Sequence, residues 1–187
     1  MAFNITSFRS GMVFDGQRPN LFEVTIPNVP NAFLGGGLPI MAKGTSIPGG
    51  TIGTVIVPYF GREVKLAGNR TFPEWTITVL NDEDFSIRGQ FERWMNYIND
   101  HGSNVRGSTS YTTKGNVQQF GKGTTVTASY SFVNMFPTDL SEITLDWGDN
   151  DTIEEYTVTF AYDYWIRAKG ALNAAGRTQA NAIEQGK

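Results

Sequence analysis

Residues 124 to 136 read TTVTASYSFVNMF, and apolar and hydroxyl side chains take turns along them. Val126, Ala128, Tyr130 and Phe132 fall on one side; Thr125, Thr127, Ser129 and Ser131 fall on the other. A period of two is the pattern of a strand with one face in a core and one in water. The pattern recurs along the chain. Phe22, Val24 and Ile26 share a face within Leu21 to Ile26, and Trp75, Ile77 and Val79 share one within Pro73 to Leu80. Ile143, Leu145 and Trp147 fall together in EITLDW. From Thr152 to Trp165, Tyr156, Val158, Phe160, Tyr162 and Tyr164 oppose Glu155, Thr157, Thr159 and Asp163. A weaker strand is expected over Leu38 to Ser46. Such a chain is mainly β, and every sheet edge it leaves open must be paired or covered.

One strand breaks the rule of one wet face. In TVIVPYF, from Thr54 to Phe60, Val55, Val57 and Tyr59 lie on one side, with Ile56 and Phe60 on the other. A strand apolar on both faces needs cover on both. Pro58 has no N–H for a ladder bond, which points to an edge or a bulge. Gly61 turns the chain, and Arg62 to Leu66 returns as the second arm of a hairpin. The cover comes either from the rest of the same chain or from other copies. The preceding GTSIPGGTIG, Gly44 to Gly53, reads as a loop, yet Ile47 and Ile52 are too apolar for plain exposure.

A single helix stands among the strands. Ile87, Phe91, Trp94, Met95 and Ile98 repeat at helical spacing, and Asp82, Glu83 and Asp84 stand where a cap and the helix dipole favour acids. The helix is expected over about residues 84–100, with Gly102 able to take a left-handed cap. Ser103 to Gly123, rich in Gly, Ser, Thr, Asn and Gln, reads as a long loop. The expected fold is a β-sandwich or partly rolled barrel with one flanking α-helix. It forms a single domain, 1–187, with an N-terminal arm at 1–19 and a weakly structured C-terminal tail at 167–187. Among 187 residues, 13 Phe, 7 Tyr and 4 Trp supply much apolar surface to bury, in this chain's core or against neighbours.

The chemistry of catalysis is scarce. With no cysteine, there is no disulfide, thiolate metal site or cysteine nucleophile. The one histidine, His101, follows the helix and reads as a surface or cap residue. Asp146, Asp149, Asp151 and Glu154 are the densest acids, but the alternation and glycine of a calcium loop are out of place, and a solvated turn is expected. Gly121 to Thr124 (GKGT) lacks the Gly-Lys-Ser/Thr adjacency of a phosphate loop and precedes a strand. Asp82 and Asp84 suit the helix start better than a glycosidase pair. No catalytic, metal-binding or cofactor-binding residue is assigned, no cofactor is expected, and the chain reads as structural rather than enzymatic. A net charge of −3 gives no drive toward nucleic acid or anionic membrane. Met1 to Gly16 lacks a basic stretch leading into an apolar run, so no secretory signal is expected, and the Asn-x-Thr triplets at Asn4, Asn69 and Asn150 are taken as chance.

The stretch from Ser46 to Asn99 carries a specific likeness. Ser46 and Pro48 mark a Ser-x-Pro loop; VPYFGR follows at Val57 to Arg62, then Gly68 and Arg70, then Trp75 in a strand. NDEDF at Asn81 to Phe85 leads to Ile87 and Arg88, Phe91 and Glu92, Trp94, Ile98 and Asn99. This combination resembles the tail-tube subunits of contractile-tailed bacteriophages, and type VI secretion tube subunits are similar in fold. The resemblance implies a structural virion protein whose hexameric rings stack into the inner tube of a phage tail, through which double-stranded DNA passes. It implies as partners a tail sheath, baseplate tube-initiating proteins, a tail terminator and a tape-measure protein, with assembly in the host cytoplasm and no membrane. Ser46, Ile47, Pro48, Thr51, Ile52, Val55, Val57, Tyr59 and Arg62 are the candidates for ring stacking and subunit contact. A DNA conduit should not hold phosphates. Two faces poor in cations therefore become candidates for the lumen: Thr125, Thr127, Ser129 and Ser131, and Glu155, Thr157, Thr159 and Asp163. The rival readings are a secretion-system tube subunit and a carbohydrate-binding sandwich.

Overall fold

Trp75, Ile77 and Val79 alternate with Thr76, Thr78 and Leu80, and only a strand puts the first three in one core. They are essentially inaccessible to solvent. The computed structural model describes residues 4–11, 16–30, 38–107, 110–123 and 125–169. Its elements in chain order are α1 (Ile5–Gly11), β1 (Phe22–Ile26), β2 (Leu38–Ile40), β3 (Ala42–Thr45), β4 (Thr51–Tyr59), β5 (Arg62–Thr71), β6 (Trp75–Leu80), α2 (Ser86–Ile98), β7 (Thr113–Phe120), β8 (Val126–Leu140), β9 (Glu155–Ala161) and β10 (Tyr164–Lys169).

All pairings are antiparallel. One sheet runs β2-β1-β7-β8, with β10 on the far side of β8; the other runs β3-β6-β9-β8. The fifteen-residue β8 belongs to both. Its first part pairs with β7 and β10, its last part with β9. The change of sheet falls next to Asn134, whose φ of 54° bends the strand. The β9–β10 connection turns the same corner alongside, where Asn134 Nδ2 donates to Asp163 Oδ2 at 2.6 Å. The fold is thus a two-sheet sandwich joined by strands that cross between sheets, and it does not close into a barrel.

Inward-facing residues of both sheets meet in one core. Trp75 stacks on Phe132 with centroids 4.2 Å apart, and Phe160 lies 5.7 Å from the same ring. Helix α2 covers what remains of the inner surface: Phe91 and Trp94 reach Phe160 at 5.9 and 6.2 Å. The indole N–H of Trp94 donates to the Tyr111 carbonyl at 2.8 Å, so the ring is buried without an orphaned donor.

Four sequence expectations change. Leu38 to Ser46 is two short strands, β2 and β3, in different sheets. Ser103 to Gly123 is not one loop. Its second half is β7, between β1 and β8, with Gly115 and Val117 inward. Helix α2 begins later than expected. Phe85 is its N-cap in the left-handed region, while Asp84 Oδ1 accepts from the Ser86 amide at 3.1 Å. That bond holds the Asp84 carboxyl below its ordinary range. The helix ends at Asn99 in extended conformation, so Gly102 is no left-handed cap. Finally, EITLDW forms no strand. Ile143 rests on the core, whereas Leu145 and Trp147 face solvent. Helix α1 lies inside the expected arm, β10 extends past Arg167, and the rest of the expected tail lies outside the described residues.

Candidate assembly surfaces

Among the described residues the hairpin of β4 and β5 is a sheet by itself and pairs with no other strand. It starts at Thr51, so Thr51 and Ile52 belong to a strand rather than to the expected loop. The loop proper is 46–50, and it is anchored. Trp75 Nε1 donates to the Ser46 carbonyl at 2.9 Å, and Trp165 Nε1 to the Gly49 carbonyl at 2.8 Å. Pro48 is buried and Ile47 half exposed. Beyond this base the ribbon has no cover from the described residues of its own chain. Ile52, Val55, Ile56, Val57, Tyr59, Val64 and Leu66 are each between 41% and 64% exposed. Of the two sources of cover, the described part of the same chain, helix α2 included, does not supply it. Covering such side chains fully is worth on the order of 1 kcal/mol each from this half-exposed state.

The tip is built with strain. Tyr59 pairs with Arg62 across a two-residue turn of Phe60 and Gly61, with φ of 47° and 76°. Both residues of such a turn need positive φ, which Asn-Gly meets at least cost. Here the first position is Phe, and its ring is 91% exposed, edge-on to Tyr59 at 4.7 Å. Strain that displays a large apolar ring to water marks a contact surface.

The two expected lumen sets lie on the outward sides of different sheets. Thr127, Ser129 and Ser131 alternate with the inward Ala128, Tyr130 and Phe132 on β8; Thr125 sits just before that strand. Ser129, in mid-sheet between β7 and β10, is only 9% exposed. Glu155, Thr157 and Thr159 alternate with the core residues of β9, and Asp163 lies at the corner. Thr159 Oγ1 and Thr76 Oγ1 are 3.3 Å apart. Lys43 pairs with Glu155 on this second face. The sandwich brings the inner faces together, so the two outer sets do not converge on one surface.

The segment between β8 and β9, residues 141–154, is a surface that periodicity missed. Asp146 accepts from the Gly148 amide through Oδ1 at 2.9 Å and from the Asp149 amide through its carbonyl at 3.3 Å. This turn holds Trp147 fully in solvent, with Leu145 78% exposed beside it. Alternation of apolar residues gave the wrong signal here. The turn chemistry of Asp-x-Gly-Asp was the better guide. Among the described residues no three acids or histidines are grouped to hold a metal ion.

A sequence model for phage tail tube proteins matches residues 17–168, which takes in every strand from β1 to β9 and most of β10. The chain belongs to the phage tail tube protein family. The tail tube protein gp19 of Enterobacteria phage T4 is 35% identical over 162 residues, covering 85% of this chain and 94% of that one. The tail tube protein of Serratia phage KSP90 is 28% identical over 165 residues, covering 84% and 93%. Among solved structures, a chain of the PVC sheath–tube complex, an extracellular contractile injection system in its extended state, superposes with a TM-score of 0.63. That match covers 90% of this chain and 99% of that chain at 15% identity, a likeness of fold alone. The chain is thus a tail tube protein, a structural component of the virion tail. Both the hairpin and the Trp147 loop lie within the part that matches the family.

Proposed function

We propose that six copies of this tail tube protein form a ring, that rings stack into the inner tube of a contractile tail, and that DNA leaves through the bore. The observation that supports this most is the β4–β5 ribbon, a two-sided apolar element with no cover from the described residues of its own chain. Its free edges and side chains are costly in a lone subunit and useful in a polymer, because ring closure removes edges. Ser46 to Arg62 then supplies much of the contact between copies. Outside the ring we place the sheath, and at the tube ends the baseplate initiators and the terminator; a tape-measure protein occupies the bore before DNA does. One of the two hydroxyl-rich outer faces lines that bore. The 35% identity to a phage T4 protein favours a phage tail over a secretion machine. A sugar-binding sandwich is disfavoured by the tail tube family match over residues 17–168; Trp75 and Trp94 lie inside the core, although Trp147 stands exposed on its loop.

Negative-stain microscopy of the purified protein tests the reading. Six-fold rings or hollow tubes are expected at high concentration. Monodisperse monomers under every assembly condition would contradict it.

A further inference from the structure

The base of the hairpin and the Trp147 loop are at opposite ends of β6. Thr71, the last residue of β5, is followed closely by Trp75, the first of β6. At the other end of β6, Leu80 pairs with Glu155, and Asn81 Nδ2 donates to Glu154 Oε2 at 2.8 Å, next to the loop. Six strand residues separate these ends by roughly 17 Å. The two surfaces also match in chemistry. The ribbon tip offers Phe60 and Tyr59 with Arg62 and Lys65 close behind; Glu63 is the one acid of the hairpin. Residues 142–154 offer Leu145 and Trp147 among Glu142, Asp146, Asp149, Asp151 and Glu154, with no lysine or arginine. The loop also lines a concave surface, to which Trp147 and Ile153 contribute.

We infer that the hairpin tip of one copy docks on the Trp147 loop of another, and that this contact joins one ring to the next. The inference rests on the ring-and-tube reading and names the surface that receives the hairpin. Two different patches of one molecule make a head-to-tail contact, which closes into a ring or repeats as an open stack according to the rotation between copies. The separation of the hairpin base from the loop along β6 assigns this contact to the open stack. Opposite charges set the register and steer the approach, while the aromatic rings leave water. The strained φ of Phe60 fits the same role, since the turn displays a ring that the free subunit does not use.

The native chain has no cysteine, so a Phe60→Cys, Trp147→Cys protein carries only the two introduced thiols. Polymerised and treated with a short bismaleimide, it is expected to run as a ladder of subunit multiples on a denaturing gel. Each single variant should give nothing beyond a dimer. Tubes that form yet leave the double variant free of a ladder would overturn the inference and leave the ring-and-tube reading intact. A second test reverses charge. Asp149→Lys with Asp151→Lys, which leaves the Asp146 turn intact, is expected to keep rings but shorten tubes about tenfold, with length restored by adding Arg62→Asp and Lys65→Asp. Tubes of normal length from the loop variant alone would also overturn it. If the unaltered protein makes neither rings nor tubes, the underlying reading fails, and the inference with it.

Discussion

At the scale of single residues, three positions expose the logic of the chain. Phe60 occupies a turn position where Asn would be at ease. Phe60→Asn is expected to raise the stability of the isolated subunit by about 0.5 kcal/mol, through relief of the left-handed strain, and to weaken assembly. Urea denaturation and pelleting of polymer measure the two effects, and a loss of both stability and assembly would contradict this account. Gly115 is needed for space. A Cβ there would come within 2.6 Å of Met135 Cε and 2.8 Å of its Sδ. Gly115→Ala should therefore force the flexible thioether end of the buried Met135 to shift, at a cost of about 1 kcal/mol read from urea denaturation midpoints. Tyr156 is buried, its hydroxyl finds no partner, and the Arg88 guanidinium lies over its ring at 5.1 Å. Burial pushes its ionisation well above the ordinary value of 10.0. The native state then holds this proton where the unfolded chain gives it up. Its contribution to stability is complete below about pH 10 and is lost as the pH rises toward the folded-state value. Tyr156→Phe should be nearly neutral at pH 7 and should flatten the alkaline fall in stability, as read from denaturation midpoints between pH 7 and 11.

At the scale of elements, a strand was legible where its apolar side chains set a pattern and hidden where it sends few of them inward. Trp75, Ile77 and Val79, or Tyr156, Val158 and Phe160, announce themselves because every second side chain enters one core. Helix α2 was legible for the same reason at its own period. Strand β7 was hidden. In TKGNVQQF only Val117 is a large inward residue, and the inward Gly115 must be small because Met135 fills the space above it. Its place in the sheet comes from pairing with β1 and β8 on both sides, a tertiary fact that no local pattern carries. The ribbon was legible in a different way. Its two apolar faces said that cover was needed, but only the fold shows that the described part of its own chain does not supply it. The ribbon therefore separates stability from assembly. Val57→Glu and Leu66→Glu lie on exposed parts of the hairpin, so each should change subunit stability by no more than about 0.5 kcal/mol. Both should abolish polymer, as followed by light scattering. A variant that unfolds the subunit would mean that the ribbon is part of the core after all.

At the scale of the whole molecule, the sandwich divides its surface by function. The inner faces make the core, and in the proposed tube the hairpin and the Trp147 loop serve the contacts between rings, which leaves two hydroxyl-rich outer faces. Those faces belong to different sheets, so we propose that one of them lines the bore and the other faces elsewhere. Thr127→Lys and Thr157→Lys place a cation on one face each, and a lysine in the bore would hold passing phosphates. Tubes should assemble with either, and DNA ejection should slow in one variant and not in the other. An equal effect, or none in both, would count against this division. The central claim is that neighbouring copies provide the cover that β4 and β5 lack. Amide hydrogen exchange, compared between dispersed subunits and assembled tubes, tests it most directly. The account predicts that the amides of residues 51–71 exchange rapidly in the free subunit and become strongly protected in the tube. Equal exchange of that segment in both states would contradict it.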